Sequence, residues 1–196
     1  MDLTVLLDPR PDLPRLAAAL DTLGHEGRRH CVRGWGKARQ AEIYEAARGF
    51  RPLSLEHFVP ASVADLTEVI HDGRNTLPAF NDFQKRFCRG PDADGVLWGY
   101  NEGSTRGFTG PGYFTVHAAE GEGTEGEIDI DYRTLPPGRC PSWPEILPNS
   151  ARLGRFVWVG MVDRMRGISN NVSIGRAYKG GRAMDAWFVL VRRDAS

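Results

Sequence analysis

The chain has 196 residues, 41% of them apolar, and its Lys plus Arg total of 25 equals its Asp plus Glu total. A chain of this length buries a core without disulfide or metal staples, and balanced charge supplies no overall field to draw it onto nucleic acid or an anionic surface. Cys31, Cys88 and Cys140 are odd in number and widely separated, which excludes a disulfide framework and a CxxC zinc site and fits a reducing compartment.

The N-terminal MDLTVLLDPRPDLP has acids and prolines where a signal peptide needs a basic start and a longer apolar run. No apolar stretch approaches the ~20 residues of a membrane-spanning helix. A cytoplasmic protein forming a single domain over 1–196 is expected, with 1–90 mainly helical and 95–193 an antiparallel β-meander. The sequence carries no signal for the oligomeric state.

Residues 12–49 read as two or three helices: Leu16, Ala19, Leu20 and Leu23 recur at helical spacing after Pro14, as do Ile43, Ala46 and Ala47. The segment RRHCVRGWGKAR within them is locally basic, from Arg28 through Arg29, Arg33 and Lys37 to Arg39. It reads as a solvated helical surface or a partner contact rather than a grip on nucleic acid, because no excess charge elsewhere supports it. Phe80, Phe83 and Phe87 stand at i, i+3 and i+7 among charged residues, which predicts a further helix with one aromatic face.

From Gly95 the period changes to two. VLWGYN, GYFTVHA, GEIDIDYRTL, RFVWVGMVDRM, NVSIGRAY and AMDAWFVLVRR are rich in β-branched and aromatic residues and bounded by Gly, Pro or Asn. The fold class expected is therefore α+β, a helical N-terminal half followed by a six-stranded antiparallel meander curved strongly or closed into a partial β-barrel. The five prolines of TLPPGRCPSWPEILPNSA make that connection a wrap across an edge or open end, a candidate lid.

Gly180-Gly181 fits a two-residue hairpin turn. An unbroken register from it sets Lys179 opposite Arg182, Arg176 opposite Asp185 as an ion pair, and Ile174 opposite Trp187. If the turn before it keeps similar parity, Met161 and Asp163 share that face. The other parity, with Gly175, Ala177, Ala186 and Phe188, is small and apolar and suits the phenylalanine helix.

A sheet apolar on both sides must be covered on both sides, so a cavity on the sheet that binds a small amphipathic or lipid-like molecule is the leading functional expectation. Its candidate ligand-binding residues are Trp98, Tyr100, Asn101, Tyr113, Asp185 and Trp187, with Trp158 as a further wall and Arg176 as the polar anchor. The alternatives are a cofactor-independent cyclase, isomerase or hydrolase with Asp163 or His117 as acid or base, and a protein-interaction module. Asp129 and Asp131 alternate with Ile128 and Ile130 as on a half-solvated strand. No phosphate-binding loop, dinucleotide fingerprint or nucleophile elbow occurs, and the histidines lack metal-site spacing, so neither a cofactor nor a metal is expected.

Overall fold

Alternation of side chains across a strand decides most of this architecture. The computed structural model describes residues 3–78, 81–91 and 95–194. Three helices come first, α1 (Leu13–Asp21), α2 (His25–Arg33) and α3 (Lys37–Ala46). The Asp12 side chain caps α1 by accepting from the Arg15 N–H, and Pro14 occupies the first turn, where a missing N–H costs nothing.

Eight antiparallel strands follow: β1 (Val69–Asn75), β2 (Asp82–Arg89), β3 (Leu97–Glu102), β4 (Phe114–Ala118), β5 (Ile128–Asp131), β6 (Met161–Gly167), β7 (Val172–Lys179) and β8 (Arg182–Arg192). Each pairs with the next, and β8 pairs with β1, so the meander closes into a barrel with no free edge. The six expected strands are present as β3 to β8, except that the start of the fourth, residues 155–160, is helix and turn instead of strand. Two more precede them, and helix accordingly ends far earlier than residue 90.

The expected phenylalanine helix is a strand. Phe83 and Phe87 lie on β2, and Phe80 lies outside the described residues. A separation of four is even, so one helix face and one strand face share it. On β2 it points Phe83, Lys85 and Phe87 into the barrel while Cys88 packs outside.

Inside the barrel Phe87, Phe114, Val116, Ile130, Met165 and Leu190 form one core, and Leu53, Phe58 and Val59 plug one end. Burying each phenylalanine contributes roughly 1.5–3 kcal/mol. Close packing requires glycine where rings cross the wall. A Cβ on Gly99 would stand 2.2 Å from the Phe114 ring, and one on Gly175 would stand 2.4 Å from that of Phe188.

Outside, α1 to α3 cover Ile174, Trp187, Val189 and Val191. Helices thus sit on the face opposite to the one expected, and the small-residue face with Gly175, Ala177 and Phe188 looks into the barrel. The proline-rich connection covers a different part of the wall, burying Cys88, Trp98, Tyr100 and Tyr113 beneath Cys140 and Trp143.

Every cation of the basic segment has an acidic neighbour: Arg28 with Asp194, Arg29 with Glu26, Arg33 with Asp82, Lys37 with Asp185 and Arg39 with Glu42. Among the described residues no helix is long and apolar enough to cross a membrane.

Candidate functional site at the open end of the barrel

The barrel end opposite the Phe58 plug is open, and a cavity of about 430 Å³ descends from it. Its apolar walls include Phe83, Trp158, Met161, Ala177 and Phe188, while Lys85, Asn101, Tyr132 and Asp163 converge on it. Two four-residue helices, α4 (Arg106–Thr109) and α5 (Gly154–Val157), flank the mouth, and the Trp158 indole N–H donates to the Thr109 carbonyl (3.2 Å).

The four polar residues form one network. Lys85 Nζ donates to Asp163 Oδ2 (3.0 Å), to Asn101 Oδ1 (3.0 Å) and to the Tyr132 hydroxyl, which uses all three ammonium hydrogens. Asn101 Nδ2 donates to the Gly112 carbonyl (2.9 Å) and to the Tyr132 hydroxyl (3.1 Å). The Tyr132 hydroxyl in turn lies 3.2 Å from Asp163 Oδ2. Four rings surround the ammonium, with Phe83, Phe114, Tyr132 and Phe188 centroids 5.0–5.7 Å from it. Trp158 stacks on Tyr132 at 5.2 Å.

Only 2% of the Lys85 side chain and 6% of the Asp163 side chain are exposed. Burial lowers the Lys85 pKa, with the Asp163 carboxylate opposing that shift. Burial also raises the Tyr132 phenol well above its ordinary range, and the neighbouring carboxylate adds to it. The arrangement can hold a polar group by hydrogen bonds at the floor of an apolar space, or pass a proton among an amine, a phenol and a carboxyl.

Of the residues proposed from sequence, Asn101, Asp163 and Trp158 are at this site. Trp98, Tyr100 and Tyr113 lie on the outer side of the wall, under the proline-rich connection; burial raises the Tyr100 phenol to about 12. His117 is also outside, 3.7 Å from Asp131, whose hydrogen bond raises its pKa. Asp129 and Asp131 share that outer face but are buried under ion pairs rather than solvated, Asp129 meeting Arg164 at 2.9 Å.

The expected Arg176–Asp185 pair is absent, because the hairpin register holds only as far as Tyr178 opposite Ala183. A bulge follows, and Arg176 then faces Trp187. The Arg176 guanidinium lies 4.9 Å from the Trp187 ring centroid, with Nε donating to the Met184 carbonyl (3.0 Å), while Asp185 reaches out to Lys37. Asp163 faces Ala177 and Arg164 faces Arg176, so Asp163 and Arg176 are on opposite sides of the sheet. Trp187 borders the mouth but packs in the helix-facing core.

The sequence alone does not single out Lys85 or Tyr132 as site residues. The available signal was period two in FQKRF, where Lys85 takes the inward position between two phenylalanines.

The fold and site define an up-and-down eight-stranded barrel with a helical sheath on one flank and a polar network at the floor of an apolar mouth. Set against protein-family models, curated proteins and solved structures, the chain matches none of them.

Proposed function

We propose that this protein binds a small amphipathic molecule in the mouth of its barrel. The apolar part lies against Phe83, Trp158, Met161 and Phe188, and the polar end exchanges hydrogen bonds with Lys85, Asn101, Tyr132 and Asp163. The observation that supports this most is the combination of a largely apolar cavity of about 430 Å³ with a few convergent polar groups, the composition typical of small-molecule sites. The anchor assigned here is Lys85, in place of Arg176.

Native mass spectrometry of the purified protein, followed by titration with a fluorescent fatty-acid analogue, tests the reading. Saturable binding that is lost in Ala186→Trp, which fills the mouth, is expected. Absence of saturable binding, or equal binding by Ala186→Trp, overturns it.

A second reading, a cofactor-independent enzyme, draws on one feature: a buried amine, phenol and carboxylate within hydrogen-bond reach of each other at a cavity, with the amine and phenol pKa values shifted. In that case Asp163→Asn retains a substrate but loses turnover, whereas in a carrier it changes affinity or stability alone.

A further inference from the structure

The large apolar side chains that this protein exposes gather at the barrel mouth. Leu77, Phe156, Val157 and Met184 border the cavity and are 51%, 71%, 37% and 36% exposed. Phe108 of α4 is 71% exposed and sits beside α5, its carbonyl accepting from the Leu153 N–H (3.3 Å). Leu153 and Val159, immediately before and shortly after α5, are exposed as well, and elsewhere among the described residues only Val5, Leu66 and Leu135 are comparably exposed.

The charge around this rim is one-sided. Neither the stretch between Glu145 and Asp163 nor that between Asp163 and Asp185 contains a carboxylate. Their rim cations are held close to the apolar side chains: Lys179 donates to the Phe156 carbonyl (2.8 Å), Arg152 to the Gly107 carbonyl (2.8 Å), and the Arg155 guanidinium lies 5.9 Å from the Phe156 ring centroid. The acids that do occur here each have a cation beside them: Glu102 has Arg106 (2.8 Å), Asp163 has Lys85 (3.0 Å), Asp82 has Arg74 (3.4 Å), and Asp185 of the hairpin has Lys37.

We infer that the rim formed by α4, α5 and the β7–β8 hairpin docks on an anionic lipid surface, with Phe108 and Phe156 entering the headgroup layer and Arg152, Arg155 and Lys179 meeting lipid phosphates and carboxylates. Apolar patches rimmed by polar groups mark interaction surfaces, and basic residues beside apolar ones complement a negatively charged bilayer. A lipid surface is favoured over a protein partner because the cavity opens within the patch. A docked protein would seal it, whereas a bilayer is itself a source and sink of amphipathic molecules. The inference therefore rests on the amphipathic-ligand reading of the same mouth.

Flotation with phosphatidylcholine vesicles, with and without about 30% phosphatidylserine, tests it. Wild-type protein is expected to float with the anionic vesicles, weakly with the neutral ones, and less as salt is raised. Phe108→Ser/Phe156→Ser and, separately, Arg155→Glu are expected to weaken binding about tenfold; all three positions are exposed, so circular dichroism should be unchanged. Ala186→Trp, which blocks the cavity and not the rim, should float like wild type. Failure of the ligand reading is thereby separated from failure of docking. No flotation, equal flotation with neutral vesicles, or unaltered binding by the variants overturns the inference. So does a dimer in light scattering that Phe108→Ser/Phe156→Ser converts to monomer, since the patch would then be an interface between copies.

Discussion

Lys85 and Asp163 meet at 3.0 Å inside the barrel from diametrically opposite strands, with three strands between β2 and β6 in either direction around the ring. The ion pair thus bridges the barrel, and side chains that are 78 residues apart in sequence form the floor of its cavity. Removing one member of such a pair strands a buried charge, which costs about 3–5 kcal/mol. Lys85→Met and Asp163→Leu should each lower stability by about that amount in urea denaturation. The double variant should recover most of it, because neither charge remains. Additive losses would show that the two residues do not act as a pair.

His71 gives the protein a predictable acid limit. It is fully buried, stacked with Phe58 (5.7 Å) and edge-on to Phe87 (4.8 Å), and Nε2 donates to the Phe58 carbonyl (3.0 Å). Nδ1 has no partner among the described residues. Burial depresses its pKa from 6.5 to about 3, and burial also lowers His57 well below its ordinary value. Both are kept neutral in the folded state while the unfolded chain takes up protons from about pH 6.5 downward. Their stability contribution is therefore complete above about pH 6.5 and is lost progressively toward pH 3, at up to about 1.4 kcal/mol per pH unit for each group. Asp72 opposes its own burial through hydrogen bonds from Arg193, His25 and Gln84, which hold its carboxyl near 2, so a further loss begins below about pH 4. Urea midpoints measured from pH 4 to 8 should rise up to about pH 6.5 and then level, and His71→Phe should flatten the rise.

Gly99 is fixed by steric contact. An added Cβ would lie 2.2 Å from the Phe114 ring and 2.6 Å from the Arg86 carbonyl oxygen, and a backbone oxygen cannot rotate away. Gly99→Ala should cost about 1–3 kcal/mol through overpacking, read as a lower thermal midpoint. Phe114→Leu in the same chain should recover part of it by freeing ring space.

Asp185 is 76% exposed and, among the described residues, pairs with Lys37, itself 48% exposed. Exposed pairs contribute about 0–1 kcal/mol, so Asp185→Asn should leave stability and amphipathic-ligand titration curves near wild type. Loss of ligand binding in that variant would return Asp185 to the ligand site, although it lies on the outer face of the barrel.

The local signals in this sequence determined much of the architecture. Period two from Gly95 onward marked β3 to β8, apart from the helical start of the fourth segment, and helical spacing marked α1 and α3, because each signal depends only on neighbours in the chain. The Gly180-Gly181 turn likewise set its adjoining pairs, Lys179 with Arg182 and Tyr178 with Ala183. Beyond that, tertiary structure decided. The two earliest strands were illegible as strands because their inward positions include Gly73, His71 and Lys85, residues that satisfy the barrel interior by close approach, stacking and a cross-barrel ion pair rather than by apolar character. Which face of β6 looked inward depended on the turn at 168–171, and a one-residue difference there moves every side chain to the other side of the sheet. The hairpin bulge separated Arg176 from Asp185 differently, by sliding the pairing two residues along β8 while both stay on the outer face, through backbone geometry carried by no residue type. Asn101 and Asp163 were visible as polar groups on apolar strands, and each has a partner from a neighbouring strand, Lys85 opposite Asn101 and Tyr132 beside β6, but the two pairs meet across the interior only because the sheet closes, β8 onto β1.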